Sequence, residues 1–488
     1  MAILIFLLAL PFFLFITLLK RSVSNHGYCN HLPPGPPSLP LIGHLHMLMF
    51  DNSDLLHIFL WKLSKQYGLS LRLGFRPTLV VSSAEMAKEV MKTRDLDFCS
   101  RPNLCAIRKL SYNASDLSFS PYSESWKGIR KICVVHLFSR VRKYRSIRED
   151  EVAGLVEKIC RLSVDSKPVN LSEAMVCLSC SIISRVGFGK RYGEEGAEGS
   201  RLHGLIKESV AMFTSFSFSD CFPFMGWVDR FTGFHARLER FFIELDSFYQ
   251  QLIDEHLNPN RLKPEQEDIL DVLLQTWKDR DFLFDLTLDH IKAVIMVISS
   301  SPKTFSISFT LYNVLFAGTE TTAVTVIWVM SFLMKNPDCL KKAQEEKHFR
   351  LQPAVPLLLP RETLRKCCIG GYKVPANTLV YVNAWAIGRD PEAWKNPEEF
   401  CPERFIGSSI DYKGLNFELI PFGAGRRVCP GMHMAVAAVE LALANLLYKF
   451  DWEMPTEMNK ENLSFDGTPG LVTHKKDALI LVARKIND

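Results

Sequence analysis

The chemistry of this chain is concentrated in one loop, Phe422–Gly431, which reads FGAGRRVCPG. A single cysteine, Cys429, follows two arginines and precedes a run in which Val436, Val439, Leu443, Leu446, Leu447 and Phe450 fall on one stripe. That pattern predicts a helix packed on a core. Cys429 therefore stands just before a helix N-terminus, where free N–H groups and the positive end of the dipole are expected to lower a thiol's pKa. Gly423, Gly425 and Gly431 let the backbone turn tightly and aim its amides inward. The loop is built to hold a thiolate.

A thiolate held this way can be a nucleophile, a zinc or iron–sulfur ligand, or the axial ligand of haem. Zinc and iron–sulfur clusters need several thiolates or histidines close together, and the loop offers one. A nucleophile needs a base beside it, whereas arginines suit carboxylates such as haem propionates, which Arg427 can hold by bidentate pairing. Haem fits these residue types best. Cys177-Leu-Ser-Cys180 is a lone CxxC in a helix-like run with no second pair and no nearby histidines, and it reads as structural.

The elements that position the loop are mostly helical. Leu69, Leu71 and Leu73 alternate with polar residues, Gly74–Pro77 supply a turn, and Leu79–Val81 resume the apolar run, which is a hairpin signal. Ser82 with Glu85 predicts a capping box for the helix that follows. From there to about Lys335 the pattern is helical, broken by loops such as Asn258–Pro264. A second extended segment, Thr378–Val382, follows the Gly370-Gly371 turn. No composition shift marks a boundary, so the expectation is one mainly α domain with a small β region.

Composition bounds the partners. The 488 residues are 47% hydrophobic and 23% charged, and the net charge of +5 is too small over this length to indicate nucleic acid. The densest basic run, Arg140–Arg148, reads as a solvated face. Residues 2–19 carry no charged side chain and Lys20 and Arg21 follow at once, long enough to span a bilayer and lacking the marks of a cleaved signal. The positive-inside rule then puts the body on the cytosolic side. Thirteen scattered cysteines facing that reducing compartment are expected to stay thiols. Residues 1–21 are read as the anchor, 22–40, with LPPGPP at Leu32–Pro37, as a proline-rich hinge, and 41–488 as the globular domain.

FGAGRRVCPG fits F-x-x-G-x-R-x-C-x-G, and the chain resembles the cytochrome P450 superfamily, plant microsomal type. Trp126-x-x-x-Arg130, Ala317-Gly-Thr-Glu-Thr-Thr322 and Pro402-Glu-Arg-Phe405 follow that family's order. The resemblance implies the P450 fold, with haem b bound by Cys429 as axial thiolate. Trp126, Arg130 and Arg427 would meet the propionates, and Phe422, Gly425 and Gly431 would shape the loop. Glu320 and Thr321 would supply protons for oxygen activation, Thr321 bonding back to the carbonyl of Ala317. No dinucleotide fingerprint is present, so NADPH would serve through a partner, NADPH–cytochrome P450 reductase, on the endoplasmic reticulum membrane. The implied activity is oxygenation of a small hydrophobic metabolite, as in plant secondary metabolism. The implied substrate regions are about Arg101–Phe119, Ala354–Leu358 and Asp466–Val472.

Two departures stand out. The family pairs a glutamate with an arginine three residues on, locked to the arginine here at 404; this chain has Arg350 but Lys347 before it, with Glu346 one position earlier as a substitute. Only 28 residues separate Thr321 from Arg350, so a segment before 350 is expected to be deleted. Residues 297–313, VISSSPKTFSISFTLYN, read as an insertion interrupting a helix. The alternatives to a working monooxygenase are an inactive haem-binding pseudoenzyme or mis-predicted gene product, and a haem-thiolate isomerase or dehydratase.

Overall fold

The hairpin predicted at Leu69–Val81 is present: β1 (Ser70–Leu73) and β2 (Arg76–Val81) pair antiparallel, with Leu73 opposite Arg76 across the turn. The computed structural model describes residues 32–50, 55–114, 116–137, 141–192, 197–261, 266–279, 308–336, 349–456 and 463–486. Along the chain follow β3 (Pro168–Asn170), β4 (Arg361–Glu362), β5 (Cys367–Ile369), β6 (Tyr372–Val374), β7 (Leu379–Val382), β8 (Phe450–Glu453) and β9 (Ile480–Lys485). The main sheet runs β1-β2-β7-β4, and β2 lies parallel to β7 with Thr78 opposite Leu379. Most of the helical body is therefore inserted between two neighbouring strands. β3-β9-β8 form a second, antiparallel sheet, and β5–β6 form a separate hairpin at Gly370-Gly371.

The principal helices are α1 (Leu56–Tyr67), α2 (Glu124–Ile132), α3 (Arg145–Val164), α4 (Leu171–Phe188), α5 (Ala197–Thr214), α6 (Phe234–Leu257), α7 (Ile269–Asp279), α8 (Ser308–Lys335) and α9 (Met432–Lys449). Local chemistry sets several ends. Ser123 Oγ accepts from Trp126 N at the start of α2, and Asn170 Oδ1 accepts from Glu173 N at the start of α4. α4 stops at Gly189, whose left-handed backbone (φ +68°) suits glycine. α4 and α8 pack along one another, and α3, α6, α7 and α9 complete the same apolar core.

α4 and α8 both contain stretches apolar enough to cross a membrane, yet 61% and 78% of those stretches are buried inside the protein. α8 is a core helix, as the buried Glu320 within it requires. Its first turns include 308–313, so that part of the expected interruption is helical, while 297–307 lie outside the described residues. The anchor at 1–21 and the first part of the hinge lie outside them as well. The proline stretch that follows is docked on the sheet: Ser70 N donates to Pro34 O (2.9 Å) and the His44 ring bonds Pro36 O (2.8 Å).

Three local expectations are corrected. The cap after β2 is Ser83, whose Oγ accepts from Met86 N, rather than Ser82. Arg148 is buried instead of solvated, donating to Val141 O (2.9 Å), because α3 turns that face onto α9. Phe450 lies in β8, just past the end of the α9 stripe.

Candidate active site

The loop before α9 is tied down at several points. Cys429 N donates to Phe422 O (3.0 Å), and Arg426 N donates to Asp95 Oδ2 (2.9 Å). Gly425 has φ +69°, and a Cβ there would stand 2.0 Å from Met91 O, so no other residue fits. From α2, Arg130 Nη2 donates to Val428 O (2.6 Å). Gly431 caps α9, which begins at Met432.

The thiol's ionisation differs from the sequence expectation. Burial pushes the Cys429 thiol up, and the amides of Gly431 and Met432 with the Arg130 cation only partly offset it. The helix start alone does not offset the burial of this sulfur.

Cys429 lines a cavity of about 270 Å3. Phe422, Gly423, Gly431, Thr321, Arg130 and Arg427 line it too, so residues spread over more than 300 positions of sequence meet in one place. From α8 come Ala317, Gly318, Thr321, Thr322 and Thr325. Thr321 Oγ1 donates to Ala317 O at 2.5 Å, and Thr325 Oγ1 donates to Thr321 O at 2.8 Å. These successive back-bonds loosen the helical ladder where it borders the cavity. Each implied substrate region contributes wall: Leu117 and Phe119 from the first, Ala354, Val355 and Leu358 from the second, Leu471 and Val472 from the third.

Four arginines border this apolar space: Arg101, Arg130, Arg361 and Arg427. Arg427 Nε donates to Cys99 O (2.8 Å) and Nη2 to Ser120 O (2.7 Å), while its buried Nη1 has no hydrogen-bond partner among the described residues. Its guanidinium stacks on Trp126, 3.8 Å from the ring centre. Burial pulls its pKa down to about 9. Arg361 is paired with Asp95 (3.2 Å), and Arg101 is held by the carbonyls of Ser118, Leu359 and Pro360. A buried guanidinium with an idle N–H calls for an anion. A flat apolar group carrying carboxylates, with an iron for the sulfur, meets every demand of this lining, and haem is such a group.

Other sequence-predicted residues sit elsewhere. Trp126 is 2% exposed and does not line the cavity; its indole N–H is spent on Leu117 O (2.9 Å), making it a brace for Arg427. Glu320 is buried outside the cavity lining and pairs with His474 (Oε2–Nε2 2.7 Å). Arg350 and Arg404 do not line the cavity, and Phe349, beside Arg350, packs edge-on against Phe422, 5.1 Å between centres. Glu346 and Lys347 lie outside the described residues. Sequence reasoning did not single out Arg101 as a cavity cation, nor Arg361 and His474 at all. No local pattern distinguishes two arginines among 58 basic residues, or one histidine among 13.

The protein-family model described as Cytochrome P450 matches residues 33–349 and 348–482. A 6,7,8-trihydroxycoumarin synthase of Pastinaca sativa is 44% identical over 491 residues, covering 93% of this chain and 93% of its own length. A 5-OH-xanthotoxin synthase of the same plant is also 44% identical with the same coverage. Cytochrome P450 71B26 of Arabidopsis thaliana is 40% identical over 99% of both chains. Among solved structures, a zebra fish cytochrome P450 with progesterone matches at a TM-score of 0.72 and 25% identity, covering 88% of this chain and 99% of that one.

Proposed function

This chain belongs to the cytochrome P450 family, and on that premise we propose that it oxygenates a small, flat hydrophobic metabolite with electrons from NADPH delivered by a partner reductase. A P450 of this kind is a haem monooxygenase; Cys429, Arg101, Arg130, Arg361 and Arg427 are the residues that would hold haem here. Bound haem supplies the activation of dioxygen. The observation that carries the reading is that Cys429 and Thr321 line the same apolar cavity, bordered by four guanidinium groups.

The chain's own residues divide the work. Arg427 Nη1 is free to take a carboxylate oxygen, with Trp126 fixing the plane of the guanidinium. Cys429 offers its sulfur, and Arg130 anchors the carbonyl of the preceding residue so that the sulfur stays in register. Phe119, Ile183, Val355 and Val472 shape an apolar space that excludes water and orients a lipophilic ring. Thr321 holds a hydroxyl at the cavity edge, and Glu320, next in the chain, is the acid that would pass protons on to it. The products named by the Pastinaca sativa relatives are hydroxylated coumarin-type aromatics, which supports a planar aromatic substrate.

Residence on the endoplasmic reticulum membrane is part of the same reading. It is supported by the charge-free segment 2–19 and by a run of exposed apolar side chains, Phe224 (88%), Trp227 (59%) and Phe231 (82%). Phe75 N donates to Cys221 O and Gly74 N to Ile42 O, so this run adjoins the place where the chain enters the domain.

Reduced microsomal protein treated with carbon monoxide tests the reading: thiolate-ligated haem gives a red-shifted Soret band, and reductase-dependent NADPH and oxygen consumption must accompany it. A band without any reductase-dependent consumption selects the isomerase or dehydratase alternative. Absence of the band selects the inactive product that Lys347 suggests.

A further inference from the structure

Glu320 and Thr321 are neighbours on α8, yet only Thr321 lines the cavity. The Glu320 carboxylate is 8% exposed and meets the His474 ring at 2.7 Å, while the His474 side chain is 30% exposed. The imidazole is thus the outer member of the pair, in touch with water, and the carboxylate is the inner one. His474 is held by its backbone rather than left on a loose loop. Its carbonyl accepts from Thr468 N (2.8 Å), and the preceding Thr473 donates to Ala354 O (3.1 Å) and accepts from Trp328 Nε1 (3.0 Å). The same segment supplies Leu471 and Val472 to the cavity wall.

From this geometry we infer that His474 is a positioning residue that recharges Glu320 with protons from solvent, a role that rests on the oxygen-activating reading above. The balance is simple. The imidazolium gives its Nε2 proton to the Glu320 carboxylate, the neutral ring takes one proton back from water, and no electron moves. An imidazole suits this step because it gains and releases protons near neutral pH. The titratable groups around the pair are Cys180 of α4, which interacts electrostatically with Glu320, and Lys475, Asp466 and Asp477, which share the segment of His474. Burial holds the Cys180 thiol up at about 11, so it stays neutral and does not compete.

The test uses the full chain in membranes with reductase, after the carbon monoxide band has been recorded. His474→Gln keeps an N–H for Glu320 but cannot ionise; His203→Gln, on an exposed face of α5, is the control. In substrate-free NADPH oxidation, His474→Gln is expected to keep the band at wild-type yield. It should release a larger share of peroxide per NADPH, with a matching loss of flow to water as a positioned proton donor is lost. The pH profile of that partition should flatten, because glutamine does not ionise. A readout free of turnover accompanies it: His474 should be carbethoxylated from solvent, and faster in Glu320→Ala, where Nε2 is released from its partner. An unchanged peroxide share and pH profile in His474→Gln, or a His474 that resists the label, overturns the inference while the band leaves the monooxygenase reading standing. A wild-type chain that forms no band removes both.

Discussion

Arg350 and Arg404 meet on a single atom, the carbonyl oxygen of Glu399, at 2.8 Å and 3.1 Å. Arg350 is 2% exposed and also donates to Gly388 O (2.8 Å) and Pro397 O (2.6 Å), while Arg404 donates to Lys395 O (2.7 Å) and Asn396 O (3.2 Å). The two arginines therefore clamp segment 388–399 by its backbone. Phe349, beside Arg350, carries the clamp to Phe422 of the cysteine loop.

Arg350→Ala would take this donor from the carbonyls of Gly388 and Pro397 and leave Glu399 O to Arg404 alone. Each loses a charge-assisted bond, so the loss of stability is expected at ~3 kcal/mol or more. Arg350→Lys should recover only part of it, because an ammonium lacks the planar fork. Thermal midpoints and the yield of the carbon monoxide band measure both effects.

Cys429→Ser should abolish the red-shifted band and all turnover while leaving the fold intact, since a hydroxyl fills nearly the same space. Normal activity in this variant would refute the ligand role. Circular dichroism on the same sample separates loss of the ligand from loss of folding.

Thr321→Ala removes the hydroxyl that bonds Ala317 O at 2.5 Å at the cavity edge. Haem should stay bound and NADPH consumption continue, but reducing equivalents should leave as peroxide. Coupled product formation should fall on the order of 10²-fold, as when a positioned proton-transfer group is lost. Fully coupled turnover would remove proton delivery from Thr321.

Asp220 supplies a pH dependence. Its Oδ1 accepts from Cys105 N (2.8 Å), yet burial raises its pKa from 3.8 to about 6. The folded value lies above the unfolded one, so folding favours the protonated form. That stabilising contribution is fully present below 3.8 and is lost as pH rises through about 6. Asp220→Asn, which does not titrate, should therefore melt higher than wild type at neutral pH and lose this advantage toward about pH 4. Parallel melting curves across that range decide it.

Much of the frame was legible in the residues themselves. Alternation at Leu69–Leu73 and the Gly74 turn marked the hairpin, the stripe from Val436 to Leu446 marked α9, and Glu320 marked α8 as a core helix. Each signal is local, because period, capping and turn chemistry act within a few residues. The same locality explains the misplaced cap: Ser82 and Ser83 are adjacent, and only the backbone path selects which hydroxyl reaches Met86 N. It also explains Arg148, whose burial depends on where α9 lies.

The order of residues by itself determined that a lone cysteine sits in a glycine-bent loop at the head of an apolar helix, within a helical chain of the P450 family. Tertiary structure alone decided that Arg101 and Arg361 join Arg427 at the cavity, that Trp126 braces an arginine, and that Glu320 turns to His474. It also decided that burial outweighs the helix end at Cys429. These outcomes depend on distances between segments far apart in sequence and on how much water is excluded between them, quantities that no short window of residues contains.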